Sequence, residues 1–269
     1  MTEPTILVER VDEGIDVITL NRPGRLNAMT NQMVNEMIDA LHVIGNDQTC
    51  RVIIVTGAGR GFCAGLDLAE GLDAPRSAEM GRVQAGMWYQ KNIARLMTTM
   101  REVPQPIVAA VNGPAAGGGL AMALASDIRV ASSSASFSVA FVRIGLSGCD
   151  VGVSWLLPRM IGASRASEMM LTGRRVDANE ALMVGLVADV VPDDQVVDAA
   201  LQRARLIRAN SPFGVWMTKE VIWSNLEASS LHAAIDLENR TQILATLTDD
   251  MREATNAWLE KRTPKFENK

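Results

Sequence analysis

Three consecutive glycines, Gly117, Gly118 and Gly119, follow a buried-type run from Ile107 to Val111 and open an almost wholly apolar stretch with helical character. The first N–H groups of a helix have no acceptor inside it, and the helix dipole adds partial positive charge at the same end. Bare amides in that position suit chemistry in which negative charge develops on an oxygen. A second glycine loop, GAGRGFCAGLDL at 57–68, follows the β-branched run Val52 to Thr56. A third, NRPGRLNAM at 21–29, follows an alternating run that ends at Leu20. Two sets of free amides at the ends of neighbouring strands mark the place where α/β sheets hold ligands.

The elements that carry these loops follow from periodicity. Ile6 to Val11 and Ile15 to Leu20 alternate like strands around Glu13-Gly14, which predicts an opening hairpin. Met33, Met37, Leu41 and Ile44 recur at helical spacing behind Thr30, a suitable N-cap. Residues 78–102 have weak helical pattern, and Ile128 to Val130 returns to strand character. Short helices are expected over 152–172 and 178–184, with breaks at Pro158, Gly162 and Gly173. From Asp193 onward nearly everything is helical, and the chain carries neither a low-complexity segment nor a sequence repeat. Strands interleaved with helices and then helices alone predict an α/β core over 1–192 and a C-terminal helical region over 193–269.

Composition narrows the function classes. A chain of 269 residues that is 48% hydrophobic can bury a sizeable core, and its net charge of -5 offers nothing to nucleic acid. No apolar run suits a membrane span, and the first residues lack the order of a signal peptide, so a cytoplasmic location is expected. Cys50, Cys63 and Cys149 form no CxxC and predict reduced thiols, without a zinc site or a disulfide framework. GAGRGF fails the dinucleotide fingerprint because Phe62 takes the place of its third glycine. GLSGC misses the nucleophile-elbow pattern by its last residue, and no histidine is near in sequence to serve Ser147. His42 and His232 fall on expected helices in structural or solvated positions.

NRPGRLNAM, GRGFCAGLDL, VNGPAAGGGLAMALASDIRVAS and LTGRRVDANEALMVGLVADVVP together resemble the signature blocks of the crotonase superfamily, the enoyl-CoA hydratase/isomerase family. The resemblance runs from about Ile6 into the C-terminal arm. It implies a spiral of β-β-α repeats with a C-terminal helical region that assembles a trimer or a dimer of trimers. It also implies an acyl-CoA substrate, with coenzyme A present as part of the thioester and no tightly bound cofactor. By the same resemblance the backbone N–H groups of Leu66 and Gly118 form an oxyanion hole for a thioester enolate. Coenzyme A contacts map to Gly24, Arg25, Leu26, Ala28, Ala64 and Leu68, and basic and aromatic residues of the tail, Lys261, Arg262, Lys265 and Phe266, correspond to groups sent toward the nucleotide, in some members from a neighbouring subunit. Asp67 and Asp127 recur in the family blocks and are expected to be structural.

Two departures bear on the reaction. The positions of the two glutamates that hydratases of the family use hold Ala121 and Phe141, neither of which transfers a proton. Asp150 stands where isomerases and other relatives carry a working acidic residue, and it is the candidate acid/base; its competing role is the N-cap of a helix starting near Val151. Glu70, Asp73 and Glu79 occupy a stretch that varies among members and offer further carboxylates. Double-bond isomerisation is therefore expected over hydration. A thioester hydrolase or another crotonase-type reaction, and a non-catalytic acyl-CoA-binding protein, are the alternatives.

Overall fold

A computed structural model describes residues 3–69 and 80–269, so Glu70, Asp73 and Glu79 lie outside the described residues. β1 (Ile6–Asp12) and β2 (Ile15–Leu20) form the expected antiparallel hairpin. α1 (Asn31–Gly45) starts at Thr30, whose hydroxyl accepts the Met33 N–H at 3.1 Å, and it buries the predicted stripe of Met33, Met37, Leu41 and Ile44. β3 (Val52–Gly57) and α2 (Arg82–Glu102) follow. Next come β4 (Ile107–Val111), β5 (Ala115–Ala116), α3 (Gly118–Ala125), β6 (Ile128–Ser132) and β7 (Ser136–Ser138). α4 (Val153–Ile161), α5 (Ala163–Thr172), β8 (Val176–Asp177), α6 (Ala178–Met183) and β9 (Asp189–Val191) complete the body.

Six strands make one sheet in the order β1-β2-β3-β4-β6-β9, parallel from β2 onward. A second layer pairs β5, β7 and β8, and single bridges join Cys63 to Ala115 and Met29 to Leu66. Each long strand is thus followed by a short extended piece in the second layer: Met29 after β2, Cys63 after β3, β5 after β4, β7 after β6. Helices α1, α2, α3 and α4 return the chain to the next strand. This is the β-β-α spiral that the resemblance implies. No sequence repeat betrays it because the second strand of each unit is too short to carry a pattern.

Two details differ from the expectations. α4 runs through Pro158 without breaking, because the proline sits in its second half and the acceptor it leaves unused belongs to the exposed Ser154. α7 (Val196–Arg208) packs Val196, Ala199, Ala200 and Ala204 on Ile15, Val52 and Val108 of the sheet. That helix is a layer of the core, and the helices that follow it are α8 (Pro212–Asn225), α9 (Leu231–Thr246) and α10 (Asp249–Glu260). The arm is fastened to the body through Lys219 of α8, a buried ammonium 3.1 Å from the Asp127 carboxylate that also donates to the carbonyls of Met100 and Gln105. Asp127 further accepts from Arg101 at 2.7 Å and from the Ile107 N–H at 2.8 Å, the structural part expected of it.

Candidate active site

The three glycine loops meet beyond the carboxyl ends of β2, β3 and β4. Two amide side chains stitch them, Asn27 buried and Asn112 half-buried. Asn27, held in a left-handed conformation at φ 55, donates to the carbonyls of Ala58 and Gly61. Asn112 accepts the Gly57 N–H at 3.1 Å and donates to the Gly57 and Gly59 carbonyls. Backbone bonds complete the seam: Ala64 N–H to Leu26 O at 2.9 Å, Met29 N–H to Gly65 O at 2.7 Å and Asp67 N–H to Met29 O at 2.9 Å.

That last pair of bonds decides where Leu66 points. In a parallel bridge the flanking residues serve the ladder, here Gly65 and Asp67, so the N–H of Leu66 itself faces the other way. It has no acceptor among the described residues. The Gly118 N–H, first in α3, has none either, whereas the Gly117 N–H is taken by Ser138 O at 3.0 Å. The expectation of three bare glycine amides is corrected at that residue: Gly117 belongs to the second-layer pairing. Its φ of 52 and ψ of -118 suit glycine, and they turn the chain so that α3 starts one residue later.

Gly65 and Gly118 are in close approach. A Cβ built on Gly65 would lie 3.4 Å from the Gly118 nitrogen, and one built on Gly118 would lie 4.0 Å from the Gly65 Cα. The two unused amides therefore stand on adjoining backbone, and Leu66 and Gly118 both line one cavity of about 320 Å³. The remaining walls are largely apolar, with Met29, Leu68, Ile93, Phe141 and Ile144 among them. Asp67 holds the loop from behind. Burial pushes its carboxyl up, but the Arg22 guanidinium 2.9 Å away and the Ala69 N–H outweigh that and keep it below the ordinary aspartate value.

Asp150 reaches the same cavity, half-buried. It does not cap α4, which begins at Val153 behind Gly152, without a side-chain cap. Its Oδ1 instead accepts the Val151 N–H at 2.8 Å and a hydrogen bond from Gln90 Nε2 of α2. Val151 has φ 38 and Gly152 φ 87, so a β-branched residue occupies the left-handed region beside the cavity. A conformation of that kind costs on the order of 1–3 kcal/mol and persists where the surroundings enforce it. Of the two positions vacated by carboxylates, Phe141 forms part of the cavity wall and Ala121 is buried in α3.

Of the residues assigned to coenzyme A, Ala64 and Leu68 line the cavity, and Gly24 and Arg25 line a second groove with Arg22 and Gln32. Leu26 and Ala28 lie between, in the loop that carries Arg25 to the cavity wall at Met29. Lys261, Lys265 and Phe266 are not brought to the cavity within one chain. The segment that carries them is held by α10, the Lys265 N–H on Glu253 and the Glu267 N–H on Asp250, each at 2.8 Å. His42 and His232 are exposed on α1 and α9. Trp155 and Trp223 stack at 5.8 Å between Arg159 and Arg101, a packing role. Burial pushes the Cys50 and Cys63 thiols up to about 12, which leaves Cys149 as the exposed thiol. The residues that the motifs missed are Tyr89 and Gln90, one helical turn from Ile93 on the cavity side of α2. Their only sequence signal is that spacing, in a helix with weak pattern.

The enoyl-CoA hydratase/isomerase family model matches residues 10–269. A Mycobacterium tuberculosis protein named "Probable enoyl-CoA hydratase EchA12" is 42% identical over 98% of this chain and 93% of its own length. The 1,2-epoxyphenylacetyl-CoA isomerase of Escherichia coli is 37% identical over 98% of both chains. A solved structure described as a probable enoyl-CoA hydratase/isomerase from Mycobacterium abscessus superposes with a TM-score of 0.91 at 39% identity, covering 98% of this chain and 99% of that one. Fold, loop geometry and these likenesses agree, and the chain belongs to the enoyl-CoA hydratase/isomerase family of the crotonase superfamily.

Proposed function

We propose that this acyl-CoA enzyme moves a carbon–carbon double bond within a bound enoyl thioester. Asp150 removes a proton from C2 of a 3-enoyl-CoA, the electron pair passes to the thioester oxygen, and the N–H groups of Leu66 and Gly118 hold the enolate. Asp150 then returns the proton at C4, which leaves the 2-enoyl-CoA. A preorganised donor pair of this kind contributes about 3 kcal/mol per donor to the transition state. The observation that carries the proposal is the cavity's proton-transfer inventory: among the described lining residues Asp150 is the only carboxylate, and Phe141 stands where hydration needs another.

Coenzyme A in this proposal runs from the cavity mouth past Ala64 and Leu68 to the groove of Gly24 and Arg25, with no tightly bound cofactor. The arm assembles the chain into a trimer or a dimer of trimers, because α9 buries no residue while Leu231, Ile243 and Leu247 are exposed. Among the described residues no helix is long and apolar enough to cross a membrane. The test is to assay 3-enoyl-CoA isomerisation and crotonyl-CoA hydration with the natural protein and with Asp150→Asn. Isomerisation is expected to exceed hydration and to fall at least about 100-fold in the variant. Unchanged rates in the variant would sink the assignment of the base.

A further inference from the structure

Asp150 lies in a loop, and a helix aims its carboxylate. Both hydrogen bonds that it accepts from described residues end on Oδ1, one from the Val151 N–H and one from Gln90 Nε2. An ionised carboxylate only accepts, so it selects the NH₂ side of the Gln90 carboxamide. Oδ2 accepts from no described residue. The helix behind Gln90 is well anchored: Tyr89 and Ile93 are buried, and Asn92 donates to Asn31 and Asn35 of α1 at 3.1 and 3.0 Å. At its far end Arg101 is paired with Asp127. The loop that carries Asp150, by contrast, turns through left-handed Gly145, Val151 and Gly152.

We infer that Gln90 is a positioning residue that ties down Oδ1 of Asp150 and so leaves Oδ2 as the oxygen that carries the proton. The inference rests on Asp150 being the acid/base. A proton taken from one substrate carbon onto Oδ2 stays on the side from which it is returned to the other, because Oδ1 remains engaged by two donors. Tyr89 is the one other group that titrates among the described lining residues, and the neighbouring Cys149 is exposed.

Gln90→Met keeps the length of the side chain and removes the donor; Gln90→Glu replaces it with a second carboxylate. Gln90 is itself exposed, so both proteins are expected to fold, which circular dichroism checks. In isomerisation assays Gln90→Met is expected to lower kcat about 10-fold with KM little changed, and to move the acid limb of kcat/KM upward by about half a pH unit or more. Gln90→Glu is expected to move that limb further, since like charges oppose ionisation. If both variants keep the natural kcat and acid limb while Asp150→Asn is inactive, Gln90 does not position the base and the inference is overturned, with the role of Asp150 intact. If Asp150→Asn is as active as the natural protein, the role of Asp150 fails and this inference fails with it.

Discussion

Gly119→Ala tests the joint between the two glycine loops without touching either proposed oxyanion donor. A Cβ at residue 119 would stand 2.1 Å from the Cys63 carbonyl oxygen and 2.7 Å from the Cys63 Cβ. Neither atom is the tip of a flexible side chain, so relief requires the backbone of the 57–68 loop to move about 0.9 Å or more to reach the 3.0 Å floor of real contacts. The Cys63 carbonyl is also bound by the Ala116 N–H at 3.0 Å, and the same movement stretches that bond. Overpacking of this kind costs about 1–3 kcal/mol in stability. Alanine's better helix propensity returns at most about 1 kcal/mol. The larger effect is catalytic: Leu66 is three residues from Cys63, Gly118 adjoins the substituted residue, and donors misplaced by about 1 Å lose on the order of 100-fold in rate. The assay is deuterium exchange at the α-carbon of a saturated acyl-CoA in D₂O, followed by NMR. It reports enolisation whether the enzyme isomerises or hydrates. Gly118→Ala is the comparison, because there the one clash of the added Cβ is with the terminal methyl of Met29 at 2.1 Å, the far end of a flexible side chain, and the Gly65 backbone is at an ordinary 4.0 Å; it is expected to be the more stable of the two. An exchange rate in Gly119→Ala within threefold of the natural one would refute the idea that this contact assembles the hole.

Two further outcomes follow from buried groups. Asp67 titrates below the ordinary aspartate value of 3.8, so its contribution to stability is present above that pH and is lost as the pH falls through the lower folded value. Asp67→Asn is therefore expected to cost about 2 kcal/mol at pH 7 in urea unfolding, with the gap to the natural protein narrowing only below about pH 3.8; a gap that is constant over the whole range would contradict the Arg22 pairing. For the thiols, an excess of iodoacetamide at pH 8 is expected to label Cys149 alone in the folded protein, and Cys50 and Cys63 only after denaturation, as read by mass spectrometry.

Which parts of this molecule were legible in its sequence depends on whether the cause of each is local. β4 spans Ile107–Val111 as expected, since an uninterrupted apolar run bounded by Pro106 and Asn112 has no other stable use. Thr30 caps α1 through its own hydroxyl, and Gly162 and Gly173 end their helices at positive φ; each is a property of one residue and its nearest neighbours. β5, β7 and β8 were not legible, because two or three residues hold no period and their pairing is chosen by partners far along the chain. α7 was assigned to the arm because its small apolar stripe, Ala199, Ala200 and Ala204, gives no sign of which surface it meets. Lys219 is the converse: a lysine in a C-terminal helix suggests solvent, yet it is buried against Asp127 and two carbonyls.

The site divides along the same line. The glycines announce only that two loops approach; Leu66 and Gly118 enter as proposed donors through the family resemblance, and the loss of the Gly117 amide from the bare set needed the second-layer bond to Ser138. Side-chain chemistry is announced less well. Asp150 was legible as a carboxylate ahead of an apolar helix, but its alternative use as a cap was removed only by geometry, with α4 starting three residues later and Gly152 in the capping place. Gln90 was not legible at all, since a glutamine on an exposed helix face is the least informative residue a sequence can offer. What makes it informative is the partner. The local hold on this carboxylate is the N–H of the left-handed Val151 alone, and the second donor to the same oxygen comes from a helix some 60 residues earlier in the chain. If such long-range donors are how this fold aims its acids, then carboxylates in the spiral's loops should be judged by what α2 presents to them, and motif spacing alone will keep naming the acid while missing the residue that orients it.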